Sequence, residues 1–277
     1  MSTHFTLLTA VLLCLLGFGV GTFGTIVGAG GGFILTPVLL LVYPHDTPAL
    51  ITAISLVVVF FNAASGTAAY ARQRRVDFRS GAVFAACTLP GSVVGVLLAD
   101  RISRPTFDVI MGVALAGLAV WLWRGREEPH GHDDGRGSPR TITDREGNEY
   151  RYRANVRLGA AFSVFVGLVS SFLGIGGGVV HVPLLVAVLG FPTHIATATS
   201  HFVLAVMALV ATITHIFAGT FHEAAGLRRA AALSVGVVVG AQIGAQVSQR
   251  MSGRTIQRLL AGALLLLGLR LVLSVAL

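Results

Sequence analysis

Long apolar stretches, interrupted by glycine-rich or polar segments, run through almost the whole chain. No Asp, Glu, Lys or Arg occurs from Met1 to His45, and none lies between Arg157 and Glu223. Because a helix needs about 20 apolar residues to cross a bilayer, this pattern predicts an all-α polytopic membrane protein with about eight to ten membrane segments. The predicted segments are Phe5–Val27, Gly32–Val42, Pro48–Tyr70, Gly81–Ala99, Thr106–Trp123, Val156–Leu173, Gly178–Leu189, Thr193–Ala218, Ala224–Val247 and Thr255–Val275.

The same order of segments and motifs occurs twice. A Gly-x-Gly-Gly-Gly motif at Gly28–Gly32 recurs at Gly174–Gly178, and a proline follows each copy. Thr-Ala-x-Ser comes next, at Thr52–Ser55 and again at Thr197–Ser200. Such internal repetition indicates two homologous halves. The chain therefore divides into a first transmembrane repeat, 1–124, a charged extramembrane connector, 125–155, and a second transmembrane repeat, 156–277.

The connector is rich in charge, glycine and proline, as solvated chain is. Within it, the alternation at Thr141–Thr143 and Tyr150–Tyr152, with a turn at Gly147–Asn148, predicts a small β-hairpin. Four side chains upstream raise the alternative of a metal site, but the tract offers no ordered framework for one, so a flexible linker is favoured. Those four side chains belong to His130, His132, Asp133 and Asp134.

Arginine counts in short loops predict the orientation. The Arg72–Arg79 loop and the connector lie on one side, which we assign to the cytoplasm. In the second half, the three arginines of Arg250–Arg258 outnumber Arg228 and Arg229 on the other side. Because the stronger basic cluster moves to the next loop in the second copy, the halves are predicted to be inverted repeats in a multi-pass protein of the cell membrane.

Composition supports this class: 54% of residues are hydrophobic, 12% are charged, and the mean hydropathy is +0.80. The net charge of +8 raises a nucleic-acid alternative, but the arginines sit at the ends of apolar runs, which favours membrane orientation instead. Cys14 and Cys87 lack Cys-x-x-Cys spacing, which argues against a disulfide or zinc framework. No cofactor or metal is expected.

Three consecutive glycines inside an apolar run predict a helix break. In a membrane such a break is tolerated where it is buried in protein or lines a wet cavity. Each break precedes a short, broken or re-entrant helix, whose first-turn N–H groups and positive dipole end suit an anion. The alternative, close helix packing, is favoured for the Gly-x-x-x-Gly pairs Gly91/Gly95 and Gly236/Gly240.

Polar side chains inside the spans are the remaining candidates. Hydroxyl and amide groups can complete the shell of an anion, although Ser and Thr also bond to carbonyls of their own helix. Three histidines are the candidates for proton coupling, with hydrogen-bonded packing as the alternative. The predicted substrate-binding residues are Gly30, Gly31, Gly32, Gly176, Gly177, Gly178, Thr52, Ser55, Asn62, Thr197, Ser200 and His201, and the histidines are His181, His201 and His215.

The duplicated glycine motif, the Thr-Ala-x-Ser after each copy and the hairpin connector together resemble the sulfite exporter TauE/SafE family. The resemblance extends from about Gly17 to Leu269. It implies a secondary carrier of oxyanions such as sulfite, sulfonates, sulfoacetate or thiosulfate, usually an exporter of the bacterial or archaeal inner membrane. It also implies that Gly30–Gly32 and Gly176–Gly178 are the binding loops.

The predicted function is therefore a transporter of small oxyanions by alternating access. An anion channel is the alternative, and a membrane-embedded enzyme is disfavoured because no nucleophile–base pair or His-Glu-x-x-His motif is found. The expected partners are a small anionic solute and the lipid bilayer, without nucleic acid. The oxyanion, the direction, the coupling ion and the oligomeric state stay open, with a homodimer as one alternative.

Overall fold

A computed structural model describes residues 6–124, 137–221 and 224–276. In this part of the chain, ten α-helices flank one two-stranded β-hairpin. The helices are α1 Leu7–Val27, α2 Gly32–Val42, α3 Pro48–Arg72, α4 Phe78–Ala99, α5 Arg104–Arg124, α6 Val156–Leu173, α7 Gly178–Ala187, α8 Thr193–Phe217, α9 Ala224–Gln249 and α10 Gly253–Ala276, and the strands are β1 Ser138–Thr143 and β2 Glu149–Ala154.

A helix occupies each predicted segment, with small differences at the ends. α3 runs to Arg72 and α9 to Gln249, beyond the apolar residues from which their ends were predicted. Polar side chains can continue a helix where it leaves the hydrocarbon region, so hydropathy underestimates its length. α7 ends at Ala187, two residues early, because the chain turns there toward Gly190, whose φ is 69°.

Within the described ranges, six helices are long and apolar enough to cross a membrane: α1, α3, α4, α6, α8 and α9. α2 and α7 have 11 and 10 residues, so each spans only about 16 Å, roughly half of a hydrocarbon core. Large apolar side chains such as Leu7, Val113, Phe165 and Val235 are exposed on the outer surface. An outer surface of this kind suits lipid, and the protein is an all-α multi-pass membrane protein.

The main helix pairs join one half of the chain to the other. α1 packs on α9, α4 on α6, α3 on α8 and α5 on α10. By their order in each half, α6 to α10 correspond to α1 to α5. Under this correspondence the α1–α9 pair is equivalent to the α6–α4 pair, and the α3–α8 and α5–α10 pairs are each equivalent to themselves. Two copies related by a twofold axis would produce this pairing.

Glycines allow two of these pairs to pack closely. Gly91 and Gly95 of α4 lie against the backbone of α6, and Gly236 and Gly240 of α9 lie against the backbone of α1. A Cβ at any of the four would collide with a carbonyl oxygen of the facing helix. The prediction that these pairs serve helix packing is confirmed.

The corresponding helices α3 and α8 run antiparallel. Gly66, near the end of α3, lies against His201, near the start of α8. Just after α3, the backbone N–H of Asp77 donates to Thr199 Oγ1 at 3.0 Å. Farther along α8, Leu204 and Val59 both lie against Gly30. Residue numbers therefore increase along α8 in the direction in which they decrease along α3.

The predicted hairpin is present and is attached to the α3–α4 loop. β1 and β2 pair antiparallel, from Ser138↔Ala154 to Thr143↔Glu149. Tyr152 donates its hydroxyl to the Asp77 carboxylate at 2.8 Å, and burial followed by that carboxylate raises the pKa of Tyr152. The hairpin and the Arg72–Arg79 loop therefore lie on the same side of the molecule, here called the hairpin end. Its assignment to the cytoplasm stays a prediction, and the tract from His130 to Asp134 lies outside the described residues.

Candidate functional site

Both glycine motifs interrupt the helices where the sequence predicted. α1 ends at Val27, and Gly28, Gly30 and Gly31 have φ values of 79°, 71° and 79° before α2 begins. α6 ends at Leu173, and Gly174 and Gly176 have φ values of 66° and 68° before α7 begins. Residues with side chains rarely adopt these angles, so glycine is required at the breaks. We call 28–32 the first glycine loop and 174–178 the second.

The two glycine loops are buried and touch each other across the boundary between the halves. All residues of both loops are buried. A Cβ on Gly178 would collide with the carbonyl oxygen of Gly28, and one on Gly32 would lie only 2.6 Å from the carbonyl oxygen of Ile175. Glycine thus permits backbone-to-backbone contact, and both loops lie in one place inside the protein.

The serines of the Thr-Ala-x-Ser motifs reach the glycine loop of the opposite half. Ser55 Oγ donates to the Gly174 carbonyl at 2.7 Å, and Thr36 Oγ1 donates to the same oxygen at 2.8 Å. Ser200 Oγ donates to the Gly28 carbonyl at 3.3 Å. In this conformation both serine protons are used to hold the opposite loop, so any contact with an anion would require these bonds to rearrange.

The threonines of the same motifs bond to their own helices. Thr52 Oγ1 donates to the Ala49 carbonyl at 3.0 Å, and Thr197 Oγ1 donates to the Thr193 carbonyl at 2.8 Å. This is the local pattern that the sequence analysis weighed against a role in binding. The assignment of the four hydroxyls to an anion site stays a prediction.

The short helices begin with N–H groups that have no acceptor. Among the described residues, no hydrogen bond is formed by the backbone N–H groups of Gly32 and Phe33 in α2, or of Gly178 and Val179 in α7. First-turn N–H groups lack a partner inside their own helix and carry the positive end of the helix dipole. Each glycine loop therefore presents two free donors of the kind that bind anions.

A buried polar cluster lies beside the first glycine loop. Thr25 Oγ1 donates to Asn62 Oδ1 at 3.2 Å and lies 3.4 Å from His201 Nε2, while the Tyr70 hydroxyl donates to the Thr25 carbonyl at 2.8 Å. Asn62 is fully buried, and its Nδ2 has no partner among the described residues. We call Thr25, Asn62, Tyr70 and His201 the Asn62 cluster. An unsatisfied buried amide costs about 1–3 kcal/mol, so this donor is the strongest side-chain candidate for a ligand.

Sequence reasoning identified Asn62 and His201 but missed Thr25 and Tyr70. Thr25 lies three residues before Gly28. Tyr70 lies eight residues after Asn62, which places these two residues near the same face of α3. These spacings were readable, but the contacts between α1, α3 and α8 that join the residues were not.

The equivalent place beside the second glycine loop is less polar. Met207 occupies the position that corresponds to Asn62, and its sulfur lies 3.5 Å from where a Cβ on Gly177 would be. The Ser92 and Ser171 hydroxyls bond to each other at 2.8 Å. Ser170 Oγ, which sequence reasoning also missed, has no partner among the described residues.

The other two candidate histidines lie in separate surroundings. His181 of α7 is fully buried, packs edge-on against Phe84 with ring centroids 5.7 Å apart, and has no described partner for either ring nitrogen. His215 Nδ1 lies 3.1 Å from Thr220 Oγ1 near the end of α8. Only His201 belongs to the Asn62 cluster, and the proton-coupling role of all three stays a prediction.

Comparisons with known proteins show that this chain is similar to proteins named as probable membrane transporters. The chain is 29% identical over 215 residues to the probable membrane transporter protein YunE of Bacillus subtilis, covering 76% of this chain and 79% of that protein. It is 26% identical over 219 residues to a probable membrane transporter protein of Methanocaldococcus jannaschii, covering 77% and 75%. A probable membrane transporter protein of Xylella fastidiosa is 27% identical over 201 residues, covering 73% and 70%.

A family model also matches most of the chain. Residues 13–271 match the sequence model of the family described as Sulfite exporter TauE/SafE. The chain belongs to this family and is a membrane transporter. No solved structure gives a significant match.

Proposed function

We propose that this transporter exports small oxyanions such as sulfite, sulfonates including sulfoacetate, or thiosulfate. The anion binds near mid-membrane between the two glycine loops, and backbone amides are its main ligands. One observation carries the proposal: two buried loops from opposite halves meet, and each begins a short helix whose first N–H groups have no acceptor in the described chain. The family description, which names sulfite, agrees with this chemistry.

Backbone amides suit a transported anion because they bind it through partial charges, which allows its release. Each helix start carries roughly half a positive charge, so two together offset about one negative charge. Asn62 Nδ2 adds a neutral donor. An arginine at the same place would bind an oxyanion with a full charge and a planar fork, which favours retention over release.

Alternating access follows from the position of the loops between the halves. Both loops are buried in this conformation, which favours a carrier over an open channel. The antiparallel course of α3 and α8 supports inverted repeats, which can rock against each other about a central site. The Ser55–Gly174 and Ser200–Gly28 bonds cross the same boundary and would exchange during that movement.

The membrane potential supplies a driving force for export. At 100 mV, negative inside, expulsion of each negative charge is favoured by about 2.3 kcal/mol, so a dianion gains about 4.6 kcal/mol. A proton gradient is therefore not required for net export.

Transport by reconstituted protein tests the proposal. Purified protein in proteoliposomes is expected to show saturable flux with at least one of sulfite, thiosulfate and sulfoacetate, and weaker flux with simple carboxylates. Counter-transport by unlabelled anion separates a carrier from a channel, because a channel gives no stimulated exchange. Absence of flux for every oxyanion would overturn the proposed function.

Gly177→Ala tests the site within the same assay. Gly177 is in the right-handed helical region, and a new Cβ would lie 3.1 Å from Val166 Cγ1 and 3.2 Å from Ser170 Oγ, side chains that can shift slightly. The variant should fold but carry a methyl group in the space beside the free amides. Flux should fall about tenfold, which corresponds to roughly 1.4 kcal/mol of weakened binding. Gly19→Ala is the matched control, since nothing lies within 4 Å of its Cβ position. Equal flux in both variants would count against the glycine loops as the site.

A further inference from the structure

A cavity of about 440 Å³ lies at the hairpin end, between the ends of α3 and α9 and the tip of the hairpin. We propose that this cavity is an access site, where a small oxyanion binds before it moves to the glycine loops. The inference rests on the proposed function and adds a second anion site to it. The lining residues that carry the argument are Arg72, Gln73, Arg145, Glu146, Gln242 and Gln246.

The cavity has the chemistry of a weak anion site. Arg72 and Arg145 contribute two guanidinium groups against the single carboxylate of Glu146, which leaves a formal lining charge of +1. Gln246 adds a neutral amide, whereas the side-chain amides of Gln73 and Gln242 already donate to the Ala245 and Ser65 carbonyls. A volume of about 440 Å³ is large enough for an anion with several waters, at roughly 30 Å³ per water. Charge attraction to a still-hydrated ion suits collection and rapid release.

A line of polar and small residues on α3 connects the cavity to the glycine loops. Gln73 lines the cavity, and Tyr70, Gly66 and Asn62 follow inward at helical spacing on one face. Tyr70 and Asn62 both bond to Thr25, and Gly66 lies against His201. From the cavity-lining residue Ala69 to Asn62 is seven residues, or about 10 Å along the helix. The access site and the Asn62 cluster are therefore adjacent but distinct.

The corresponding line in the other half is less polar. At the positions in and just after α8 that correspond to Asn62, Gly66, Tyr70 and Gln73 stand Met207, Ala211, His215 and Ala218, so His215 is the one polar counterpart. The end of that helix carries Phe217, which is 86% exposed. The access site is thus a property of the hairpin end.

Backbone and side-chain contacts fix Arg145 at the cavity. Its backbone N–H donates to the Gln73 carbonyl at 3.0 Å. The preceding Asp144 carboxylate accepts from the backbone N–H groups of Glu146 and Asn148, each at 2.9 Å, and pairs with the buried Arg75 at 3.5 Å. The connector therefore supplies one wall, and one cation, of a site that the membrane helices otherwise build.

Arg72→Gln and Arg145→Gln test the access site, with Arg79→Gln as control. Arg79 is an exposed arginine in the first turn of α4, at the same end of the molecule, but it does not line the cavity. Flux is measured in right-side-out and in everted membrane vesicles, so that the hairpin end faces the supplied anion in only one preparation. In that preparation, each test variant should raise the KM about threefold to tenfold with Vmax unchanged, the range expected for loss of a partly exposed charged contact. The control should leave the KM unchanged.

Three outcomes overturn the inference or its basis. Wild-type flux with the same KM in all three variants would overturn the access site while leaving the proposed function intact. Absence of wild-type flux would instead remove the proposed function. An anionic lipid headgroup offers the same chemistry, so the assay is repeated in liposomes of phosphatidylcholine alone. If the variants differ from wild type only when phosphatidylglycerol is present, the cavity binds lipid and the access site is wrong.

Discussion

The two glycine loops share a motif but differ in backbone and in surroundings. Gly31, which precedes α2, has φ 79°, whereas Gly177, which precedes α7, has φ −55°. The first glycine loop lies beside the amide of Asn62, and the second lies beside the thioether of Met207. The helix breaks are thus alike in the two halves, whereas the side chains around them differ. The two loops therefore resemble each other in their unpartnered first-turn N–H groups and differ in the side-chain donors beside them.

The backbone difference predicts the largest effect. Gly31→Ala places a Cβ at positive φ and 2.9 Å from the Val20 carbonyl oxygen, so we expect a loss of stability of at least about 2–3 kcal/mol. Gly177→Ala, in a helical conformation with movable neighbours, should cost less than about 1 kcal/mol. Thermal unfolding in detergent measures both. Similar losses in the two variants would mean that the loops have equivalent backbones.

The side-chain difference predicts the next effect, on transport. Asn62→Met makes the first half match the second and removes the unpartnered Nδ2 donor. Oxyanion flux should fall at least about tenfold, because a buried hydrogen bond to a charged ligand is worth about 1.5–3 kcal/mol. Initial flux is measured on protein that elutes as a single species. Met207→Leu is the control and should retain flux; a fully active Asn62→Met would show that the asymmetry has no role in binding.

The glycine breaks could be read from the sequence, but the chemistry around them only in part. Repeated glycines inside apolar runs locate Gly28 and Gly174 without any knowledge of packing. Asn62 could be selected because an amide is costly in hydrocarbon. Thr25 and Ser170 could not, since each is one of many hydroxyls and acquires meaning only from a neighbour on another helix. The cavity at the hairpin end depends on docking of the connector, which no local pattern encodes.

Histidine substitutions test whether the Asn62 cluster also determines the pH dependence of flux, for which we expect a smaller effect. If a histidine couples transport to protons, His201 is the expected residue, because it alone belongs to the Asn62 cluster. His201→Gln should flatten the dependence of flux on pH, because it removes the imidazole that would carry the proton. His181→Gln and His215→Gln should leave that dependence unchanged. An unaltered pH profile in all three variants would remove the coupling hypothesis.

The smallest effect is expected from a substitution in the hairpin turn, at Asp144. Burial alone would raise the pKa of Asp144, but hydrogen bonds from Asn148 and Glu146 and the Arg75 guanidinium outweigh it and hold this pKa below its ordinary value of 3.8. Ionised Asp144 therefore stabilises the docked hairpin. This stabilisation is present above about pH 3.8, the ordinary pKa, and it is lost as the pH falls through the lower pKa of the folded state. Asp144→Asn should speed hydrogen exchange of the Arg145 amide severalfold at neutral pH. Unchanged exchange would show that Asp144 does not secure the turn.

The central claim is that backbone amides of both glycine loops hold the oxyanion. Crystals grown with selenate, a heavier oxyanion, test it through the anomalous signal of selenium. The account predicts a peak between the loops, about 4 Å from the amide nitrogens of Phe33 and Val179, as hydrogen bonding through an oxygen requires. A transport-competent protein whose only selenium peak lies away from both loops would contradict it.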